Sequence, residues 1–463
     1  MSKQLKTISP IDGSVYVTRD YASPEQIAQA RERATAARQH WKHTPVAKRM
    51  AICRRMVDAF TAEKDSIAEE ISWMMGRPIR YAAGEVAGFA ERAHYMINIA
   101  EEVLAPTTLP EKEGFQRSII REPLGVVFVI APWNYPYLTS VNAIVPAILA
   151  GNTVILKHSA QTPLCAERIH EAFAQARLPE GVFQYLHLSH EHTEGVIKAP
   201  EVRHVCFTGS VSGGAMVQQA AAGRFIGTGL ELGGKDPAYV RADADLDHAV
   251  ETTIDGAFFN SGQSCCGIER IYVHEDLHDS FVEKAVELVK RYKLGRSDDP
   301  DTTLGPMVRA KAADFVRSQI DEAVQQGAIP HIDPTRFPMD QKDSPYMAPQ
   351  VLTEVTHKMR VMTEESFGPV VGIQKVSSDE EAVSLMNDSE YGLTASVFSS
   401  DIETATQLGE QVDTGTFFVN RCDYLDPALA WTGVKNSGCG CTLSHLGFDH
   451  LTRPKSFHIK TSL

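Results

Sequence analysis

The sequence has no long hydrophobic run and no excess of positive charge. Its longest apolar tract, around Val126 to Ala131, is far shorter than the roughly 18 residues that a membrane-spanning helix needs. The 463 residues carry a formal net charge of −14, which disfavours non-specific binding to nucleic acid or to an anionic membrane. We therefore expect neither nucleic acid nor membrane as a partner.

A secretion signal and a disulfide framework are also missing. No apolar segment follows the start Met1-Ser2-Lys3-Gln4-Leu5-Lys6, so it does not have the pattern of a signal peptide. Eight cysteines in a chain of this size are too few for a disulfide framework, and neither Cys265-Cys266 nor Cys439-Gly440-Cys441 has the paired C-x-x-C spacing of a zinc site. We expect reduced thiols, no metal and a cytoplasmic protein.

The length and composition are those of a soluble protein with more than one core. A hydrophobic fraction of 43% with a mean hydropathy of −0.19 is typical of globular chains. At this length, two or three domains are expected. The sequence shows no internal repeat and no low-complexity segment.

The amino-terminal region is predicted to be helical and rich in alanine. Ser23-Pro24-Glu25-Gln26 has the pattern of a helix start, with Ser as N-cap and Gln three residues later. Helices should continue to about Glu102, with breaks near Thr44-Pro45 and Gly76-Arg77-Pro78. We assign no chemistry to their charged faces.

From residue 121 onwards, short apolar runs alternate with helical patterns. This alternation predicts a parallel sheet with helices on its faces, and ligands on such sheets bind at the carboxyl ends of the strands. A second series follows Glu231 and continues to about Asn420, which predicts a second α/β domain. The predicted strands of the first series are 125–131, 153–156, 182–186 and 202–207, and its predicted helices are 138–149, 163–176 and 191–198.

The second series contains predicted helices at 276–292 and 309–326 and a strand at 415–420. Its stretch Asp333 to Pro349, rich in Pro and Asp, is predicted to be a surface loop. Residues 104–120 and 451–463 are strand-like but have no obvious partner in either sheet. Because an unpaired strand exposes its N–H and C=O groups, such segments usually pair with something.

Two thiols lie on a loop between a predicted helix, 245–259, and a predicted strand, 268–273. The loop is Asn260-Ser261-Gly262-Gln263-Ser264-Cys265-Cys266-Gly267. A cysteine is nucleophilic as its thiolate, and an exposed loop with backbone N–H groups nearby favours that charge. Cys265 is the candidate nucleophile; the alternative is a cysteine that packs as a small hydrophobic residue.

A second segment, Leu230-Glu231-Leu232-Gly233-Gly234-Lys235, changes the balance between these alternatives. With Gly262-Gln263-Ser264-Cys265 it resembles the paired E-L-G-G-K and G-Q-x-C signatures of the NAD(P)-dependent aldehyde dehydrogenases. The resemblance implies that Cys265 attacks an aldehyde, that the hemithioacetal loses a hydride to the nicotinamide, and that Glu231 activates the water that hydrolyses the thioester. It further implies an esterase side activity.

The resemblance runs from Ile8-Ser9-Pro10 to about Lys460. Pro132-Trp133-Asn134-Tyr135-Pro136 matches the family element P-W-N-[FY]-P, whose Asn supplies an amide donor. Fixed donors stabilise the tetrahedral oxyanion of thiol addition, so the resemblance implies that Asn134 acts there with the backbone N–H of Cys265.

The resemblance also implies a set of cofactor-binding residues. Phe207-Thr208-Gly209-Ser210 opens a helix, where N–H groups meet a pyrophosphate. The Lys after the strand 153–156 reaches the adenosine ribose, and Glu365-Ser366-Phe367-Gly368-Pro369 resembles the element that holds the nicotinamide ribose. The implied cofactor-binding residues are Trp133, Lys157, Ser159, Ala160, Gly209, Ser210, Gly214, Leu232, Glu365 and Phe367.

The choice between NAD and NADP depends on Ala160. Many NAD-preferring relatives have Glu at this position, where it binds the ribose hydroxyls and repels a 2′-phosphate. Its absence removes a charge clash with NADP and an acceptor for NAD, so we predict that NADP is accepted, with NAD as the other candidate cofactor. His158, beside Lys157, is given no role.

The carboxyl-terminal part departs from the family pattern. Where many members have Arg-Glu, this chain has Cys441-Thr442, so a proton relay through that Glu cannot operate. The candidate residues of the substrate tunnel are Tyr135, Tyr424 and Trp431. Asp423 and Asp426 would favour a cationic aminoaldehyde, whereas Arg421 is a candidate partner for a semialdehyde carboxylate.

The expected architecture is α/β, with two doubly wound domains and a small β extension. We predict a dinucleotide-binding domain at 1–103 and 121–233, a catalytic domain at 234–450, and oligomerisation segments at 104–120 and 451–463. In the family, such segments add to a neighbouring subunit, which implies a dimer or a tetramer.

Two other functions are compatible with the motifs. One is an acylating dehydrogenase that passes the thioester to coenzyme A, which Glu231 argues against because a water-activating base wastes the thioester. The other is a non-catalytic relative that binds NAD(P) without turnover. Such a protein would be expected to have lost the thiol or the base, and both are present.

Overall fold

The computed structural model describes residues 4–462, and the predictions that touch residues 1–3 and 463 lie partly outside that range. Ser23 caps the first long helix through the predicted capping box, in which its hydroxyl accepts from Gln26 N–H and the Gln26 side chain accepts from Ser23 N–H. The first elements are β1 (Gln4–Ile8), β2 (Val15–Asp20), α1 (Pro24–Trp41), α2 (Val46–Ala62), α3 (Lys64–Met75), α4 (Ile79–Val103) and β3 (Phe115–Pro123).

The alternating region follows the predicted order closely. The strands β4, β5 and β6 of this stretch are buried along most of their length, as a sheet covered on both faces requires. The elements are β4 (Val126–Ile130), α5 (Pro136–Ala150), β5 (Thr153–Lys157), α6 (Pro163–Gln175), β6 (Phe183–Tyr185), α7 (His190–Lys198), β7 (Val202–Thr208), α8 (Val211–Ala221) and β8 (Gly227–Glu231).

The second series contains the helices and the strand predicted there. The predicted loop from Asp333 to Pro349 is irregular, but part of it is buried, since Tyr346 and Met347 pack inside. The elements are β9 (Asp236–Val240), α9 (Leu246–Phe258), β10 (Ile268–His274), α10 (Glu275–Val289), α11 (Ala310–Gln325), β11 (Ile329–Pro330), β12 (Gln350–Thr353), α12 (Arg360–Thr363), β13 (Val370–Val376), α13 (Asp379–Asn387), β14 (Tyr391–Gly392), β15 (Thr394–Phe398), α14 (Ile402–Gly409) and β16 (Thr416–Val419).

The last strands are β17 (Val434–Lys435), β18 (Gly438–Cys439) and β19 (Thr452–Lys460). β19 and β3 pair with each other in antiparallel register, Thr452 opposite Pro123 and Lys460 opposite Phe115. The strands β3 and β19, which come from the two segments that had no obvious partner, therefore pair with each other. β1 and β2 form a further antiparallel pair that the sequence patterns had not indicated.

Two larger sheets organise the rest of the chain. The first has the order β18-β8-β7-β4-β5-β6 and the second the order β11-β12-β13-β10-β9-β15-β16. The first is parallel except for β18, and the second is parallel except for β11. Neighbouring residues of β9 belong to different cores, Ala238 and Val240 to one and Tyr239 to the other, so both faces of that sheet are covered. The predicted α/β class is confirmed.

Among residues 4–462, no helix combines the length and the apolar character needed to cross a lipid bilayer. The functional motifs gather at one end of the first sheet. Residues after β4, β5 and β7 and at the end of β8 lie at the carboxyl edge, as expected for ligand binding on a parallel sheet.

Candidate active site

The loop that carries Cys265 is held in a strained and tightly packed conformation. Asn260, Ser261 and Gly262 all have positive φ, and a Cβ on Gly262 would lie 2.2 Å from the backbone oxygen of Gly368. The buried Gln263 side chain accepts from Val308 N–H at 2.7 Å. The G-Q pair therefore fixes the backbone that presents Cys265.

The Gly-Gly pair of the second motif allows one side chain and one other backbone segment to approach. A Cβ on Gly233 would lie 2.5 Å from the Glu365 carboxylate, and one on Gly234 would lie 2.4 Å from the backbone oxygen of Cys265. Gly234 N–H donates to Glu365 at 3.1 Å. Glycine at both positions thus brings the end of β8, the Cys265 loop and Glu365 together.

A buried ion pair joins the segment 230–235 and the segment 365–369 to the strand that follows the Cys265 loop. Lys235, 1% exposed, donates to the Glu269 carboxylate at 2.5 Å and to Ser366 Oγ at 3.0 Å. Glu269 also accepts from the N–H groups of Ser366 and Phe367, both at 2.8 Å. Paired and fully hydrogen-bonded, the two charges position the motifs relative to one another.

Asn134 is buried beside the Cys265 loop. Its side-chain Nδ2 donates to Gln263 O at 3.3 Å, and its backbone oxygen accepts from Arg77 at 2.6 Å. Asn134 and Cys265 line the same cleft. An amide has two N–H donors, so one can still face that cleft.

A cleft of about 180 Å³ contains most of the residues predicted to hold the nicotinamide half of a dinucleotide. The rings of Trp133 and Phe367 meet there edge to face, with centroids 5.7 Å apart. Cys265 and Glu231 border the same cleft. Its other lining residues are Pro132, Trp133, Asn134, Thr208, Gly209, Ser210, Leu232, Gly233, Glu365 and Phe367.

Lys157, Ser159 and Ala160 follow β5, outside this cleft. Lys157 is half-buried, and among residues 4–462 it has no ion pair or side-chain hydrogen bond; burial lowers its pKa. A cation desolvated without a partner fits a site for ribose hydroxyls or phosphate. Ala160 is exposed, whereas His158 is buried and bonded to Pro136 O, with a pKa lowered to about 3 by burial.

Gly214 lies on the first turn of α8, behind the cleft. A Cβ there would lie 2.6 Å from Leu232 Cδ2, so glycine lets the helix approach β8 closely. Ser210 caps α8 by accepting from Gly213 N–H. Together with the free Lys157 ammonium, this helix start fits the phosphates of a dinucleotide.

A channel of about 270 Å³ reaches Cys265 from the other side. Tyr135 and Trp431 line it, as do Glu231, Asp423 and Leu425. Tyr424 is not among the lining residues, because its hydroxyl donates to Glu91 at 2.6 Å. The Arg421 guanidinium stacks at 3.9 Å over the Tyr424 ring and also lies outside the channel.

Sequence reasoning missed Arg92, which lines this channel from α4. Arg92 is 8% exposed and donates to Leu138 O at 2.6 Å and Asn142 Oδ1 at 3.3 Å. Among residues 4–462, no carboxylate forms an ion pair with Arg92, although the more distant charges of Glu231 and Glu85 oppose the lowering of its pKa by burial. A charge on the buried face of an amphipathic helix was the available signal, since Arg92 shares a face with Phe89 and Met96.

Glu231 borders both the cleft and the channel. Thr442 Oγ1 donates to Glu231 Oε1 at 2.6 Å, and Thr208 Oγ1 donates to Oε2 at 2.9 Å. Burial raises the pKa of Glu231, and the two hydroxyls and the nearby Arg92 oppose that rise. A carboxyl group with a raised pKa beside a reactive thiol is suited to proton transfer.

Cys265 differs from expectation in one respect. The loop is buried rather than exposed, and Cys265 is only half-exposed, toward the cavities. Its hydrogen bond with the Cys266 thiol and its burial raise the pKa of Cys265. The thiolate is the nucleophilic form, and Cys265 opens onto both the cleft and the channel.

Comparison with known proteins gives a consistent result over the whole chain. The sequence model of the aldehyde dehydrogenase family matches residues 1–457. An NADP-dependent succinate-semialdehyde dehydrogenase of Deinococcus radiodurans is 36% identical over 449 residues, covering 97% of this chain and 93% of the relative. The succinate semialdehyde dehydrogenase Sad of Escherichia coli, which uses NAD or NADP, is 34% identical and covers 95% of each.

A solved structure shows the same likeness in three dimensions. The succinic semialdehyde dehydrogenase of Streptococcus pyogenes, crystallised with NADP+, superposes with a TM-score of 0.93 at 32% identity. The match covers 98% of this chain and 100% of that one.

Proposed function

We propose, from the premise that this chain belongs to the aldehyde dehydrogenase family, that it oxidises a short aldehyde bearing a distant carboxylate, with succinate semialdehyde as the reference substrate. The family, the reaction class and the use of NADP or NAD predicted from the motifs are confirmed. The chain is therefore an NAD(P)-dependent enzyme that converts aldehydes to carboxylic acids. The identity of the aldehyde is the open question.

The unpaired Arg92 guanidinium carries this proposal. Arg77 lines the same channel, but Glu85 already neutralises it, and Asn134 O and Asn260 Oδ1 accept its other N–H groups. A buried cation without a carboxylate is costly, and a guanidinium binds a carboxylate through two parallel hydrogen bonds. A carboxylate at the far end of the substrate would supply the partner that Arg92 lacks.

The size of the channel supports a small substrate. About 270 Å³ is slightly below the usual volume of sites for drug-sized ligands, which begin near 300 Å³. Arg92 and Cys265 border the same space, so a short chain can bring its aldehyde to the thiol while its carboxylate reaches the guanidinium.

The chemistry follows from the residues on the two cavities. We propose that the Cys265 thiol first loses its proton to water in the channel and that the thiolate sulfur then adds to the aldehyde carbon, while Asn134 Nδ2 and the Cys265 N–H donate to the developing oxyanion. A nicotinamide held by the cleft residues would supply the hydride acceptor. Once the carbon bonded to the Cys265 sulfur has given up its hydride, Cys265 carries a thioester. Glu231 then takes a proton from water as the water oxygen adds to the carbonyl carbon, and the carbon–sulfur bond breaks to release the acid and the Cys265 thiolate.

One observation favours a second substrate class. Asp423 also lines the channel, and a carboxylate there would attract a cationic aminoaldehyde. Arg92 is more deeply buried than Asp423, and within residues 4–462 no carboxylate bonds to it directly, so we propose that the anionic substrate is preferred. Transfer to coenzyme A is a further alternative, and formation of acyl-CoA in place of free acid would support it.

Self-association and location are also proposed. β19 carries a nearly continuous exposed surface that includes Phe457 and Ile459. Because an exposed strand with apolar side chains is a template for pairing, we propose that the β3–β19 pair joins a second copy in a dimer or tetramer. The reduced thiols support a cytoplasmic location.

The test compares succinate semialdehyde with butanal, which has no carboxylate. Arg92→Leu should lower kcat/KM for the semialdehyde by roughly 30- to 1,000-fold, since truncating one partner of a buried charge pair costs about 2–4 kcal/mol. Butanal should be affected less than threefold. Arg92→Lys, which keeps the charge without the two-pronged geometry, should give an intermediate loss.

Arg421→Leu is the matched control, because Arg421 lies outside the channel, stacked on Tyr424. Its semialdehyde kinetics should be unchanged. Equal losses for both aldehydes in Arg92→Leu, or a faster reaction of the wild-type protein with an aminoaldehyde of the same length, would contradict the proposal.

A further inference from the structure

Glu231 lies where three cavities meet. Besides the cleft and the channel, it borders an inner cavity of about 30 Å³. Thr442 and Thr208 line this inner cavity, and each donates its hydroxyl to a different oxygen of the Glu231 carboxylate. The Asn142 side chain also lies near Glu231 and lowers its pKa, but less than either hydroxyl does.

The position of Thr442 is fixed before any substrate binds. Its backbone exchanges two hydrogen bonds with Trp431, Trp431 N to Thr442 O at 2.8 Å and Thr442 N to Trp431 O at 2.9 Å. The intervening segment is attached to β8, since Gly438 pairs with Glu231 and Leu232 N donates to Ser437 O at 3.0 Å. The hydroxyl therefore reaches Glu231 with little loss of conformational freedom.

We propose that Thr442 is a positioning residue that fixes the Glu231 carboxylate for water activation, at the place where the family pattern has a glutamate. This inference rests on the proposed role of Glu231 as the base of thioester hydrolysis. Thr208 holds the second oxygen from β7, so the carboxylate is clamped at both ends. Each oxygen keeps a lone pair for the proton of water.

The clamp also determines the pH range in which Glu231 is ionised. The charged or titratable groups around Glu231 are Arg92 on α4, Cys206 on β7, Cys265 and Cys441. Burial raises the pKa of Glu231, and the Thr442 hydroxyl is the first of the groups that lower it. Because Glu231 must be ionised to accept a proton, loss of this hydroxyl should move the acidic limb of hydrolysis to higher pH.

The experiment follows NAD(P)H formation by rapid mixing in Thr442→Val across a pH series. The first turnover, which ends at the thioester, should proceed at close to the wild-type rate. Later turnovers should be about tenfold slower at neutral pH, so that a burst appears, and the acidic limb of kcat should move to higher pH. Thr442→Ser restores a hydroxyl and should return both quantities to wild-type values.

Thr432→Val is the matched control. Thr432 belongs to the same loop and lines the same inner cavity, but its hydroxyl donates to Gly440 O at 2.7 Å and not to Glu231. Its burst and pH limb should be those of the wild type. A loss common to the Val and Ser variants of Thr442, or equal slowing of the first and later turnovers, would overturn the positioning role.

Glu231→Gln, measured in parallel, distinguishes failure of the proposed base from failure of the proposed clamp. Full steady-state turnover in Glu231→Gln would remove the proposed base, and with it the reason for a clamp. A stalled Glu231→Gln beside a Thr442→Val with wild-type burst and pH limb would overturn the clamp alone. If Thr442→Val does not fold, Thr208→Val removes the other donor and should show the same burst and the same direction of pH shift.

Discussion

The buried pair of Arg77 and Glu85 allows a quantitative test of how the site is held. The side chains are 2% and 0% exposed. Glu85 also accepts from the N–H groups of Tyr137 and Leu138, both at 2.9 Å, and Arg77 donates to the backbone of Asn134. Arg77→Met leaves a buried carboxylate without its counter-ion, which should lower the free energy of unfolding by about 3–5 kcal/mol.

A double variant that removes both charges tests whether Arg77 and Glu85 stabilise each other. Glu85→Gln alone leaves Arg77 unpaired and should also be costly. Arg77→Met combined with Glu85→Gln should lose at least about 2 kcal/mol less than the two single changes together, because neither charge is then left buried alone. Urea unfolding, followed by intrinsic fluorescence, measures these differences from the midpoint of the first transition.

An exposed pair provides the control. Lys198 and Glu194 stand one helical turn apart with side chains 58% and 52% exposed, so Lys198→Met should cost less than about 1 kcal/mol. Equal costs for Arg77→Met and Lys198→Met would refute the reasoning. Strict additivity of the Arg77 and Glu85 variants would do the same.

The remaining predictions concern the chemistry and the cofactor. Cys265→Ala should abolish NAD(P)H formation while leaving the unfolding midpoint nearly unchanged, and measurable steady turnover would exclude Cys265 as the nucleophile. Glu231→Gln should release about one NAD(P)H per site and then stall at a thioester detectable by mass spectrometry. Ala160→Glu should lower the ratio of kcat/KM for NADP to that for NAD by roughly 10- to 100-fold through repulsion of the 2′-phosphate; an unchanged ratio would show that residue 160 does not face it.

Much of the fold followed from local patterns. The order of strands and helices between 125 and 207 was predictable because buried parallel strands are short apolar runs and the helices between them are amphipathic. The strand β8 was not predicted, because its sequence Gly-Thr-Gly-Leu-Glu is not an apolar run. The start of α1 was predictable at single-residue precision, since a capping box involves neighbouring residues only. The chemical motifs were predictable as a set because glycine, cysteine and glutamate recur there in a specific order.

What could not be predicted depends on contacts between distant parts of the chain. The pairing of β3 with β19 joins segments more than three hundred residues apart, and no local signal specifies it. The clamp on Glu231 needs Thr442, which looked only like the loss of a family glutamate. Arg92 was not predicted because its helix has the pattern of an ordinary charged surface. Its spacing from Phe89 and Met96 nevertheless places it on the buried face of α4.

The attachment of the 431–442 segment to β8 bears on how the enzyme acquires activity during synthesis. Ser437 bonds to the backbone of Leu232 and Gly233, and Thr442 completes the surroundings of Glu231, although both lie within the last tenth of the chain. A ribosome must therefore add 211 residues after Glu231 before the Thr442 hydroxyl can bond to the Glu231 carboxylate. An unfinished or carboxyl-terminally clipped product would keep a reactive thiol without its organised base, so it would tend to trap aldehydes as lasting adducts.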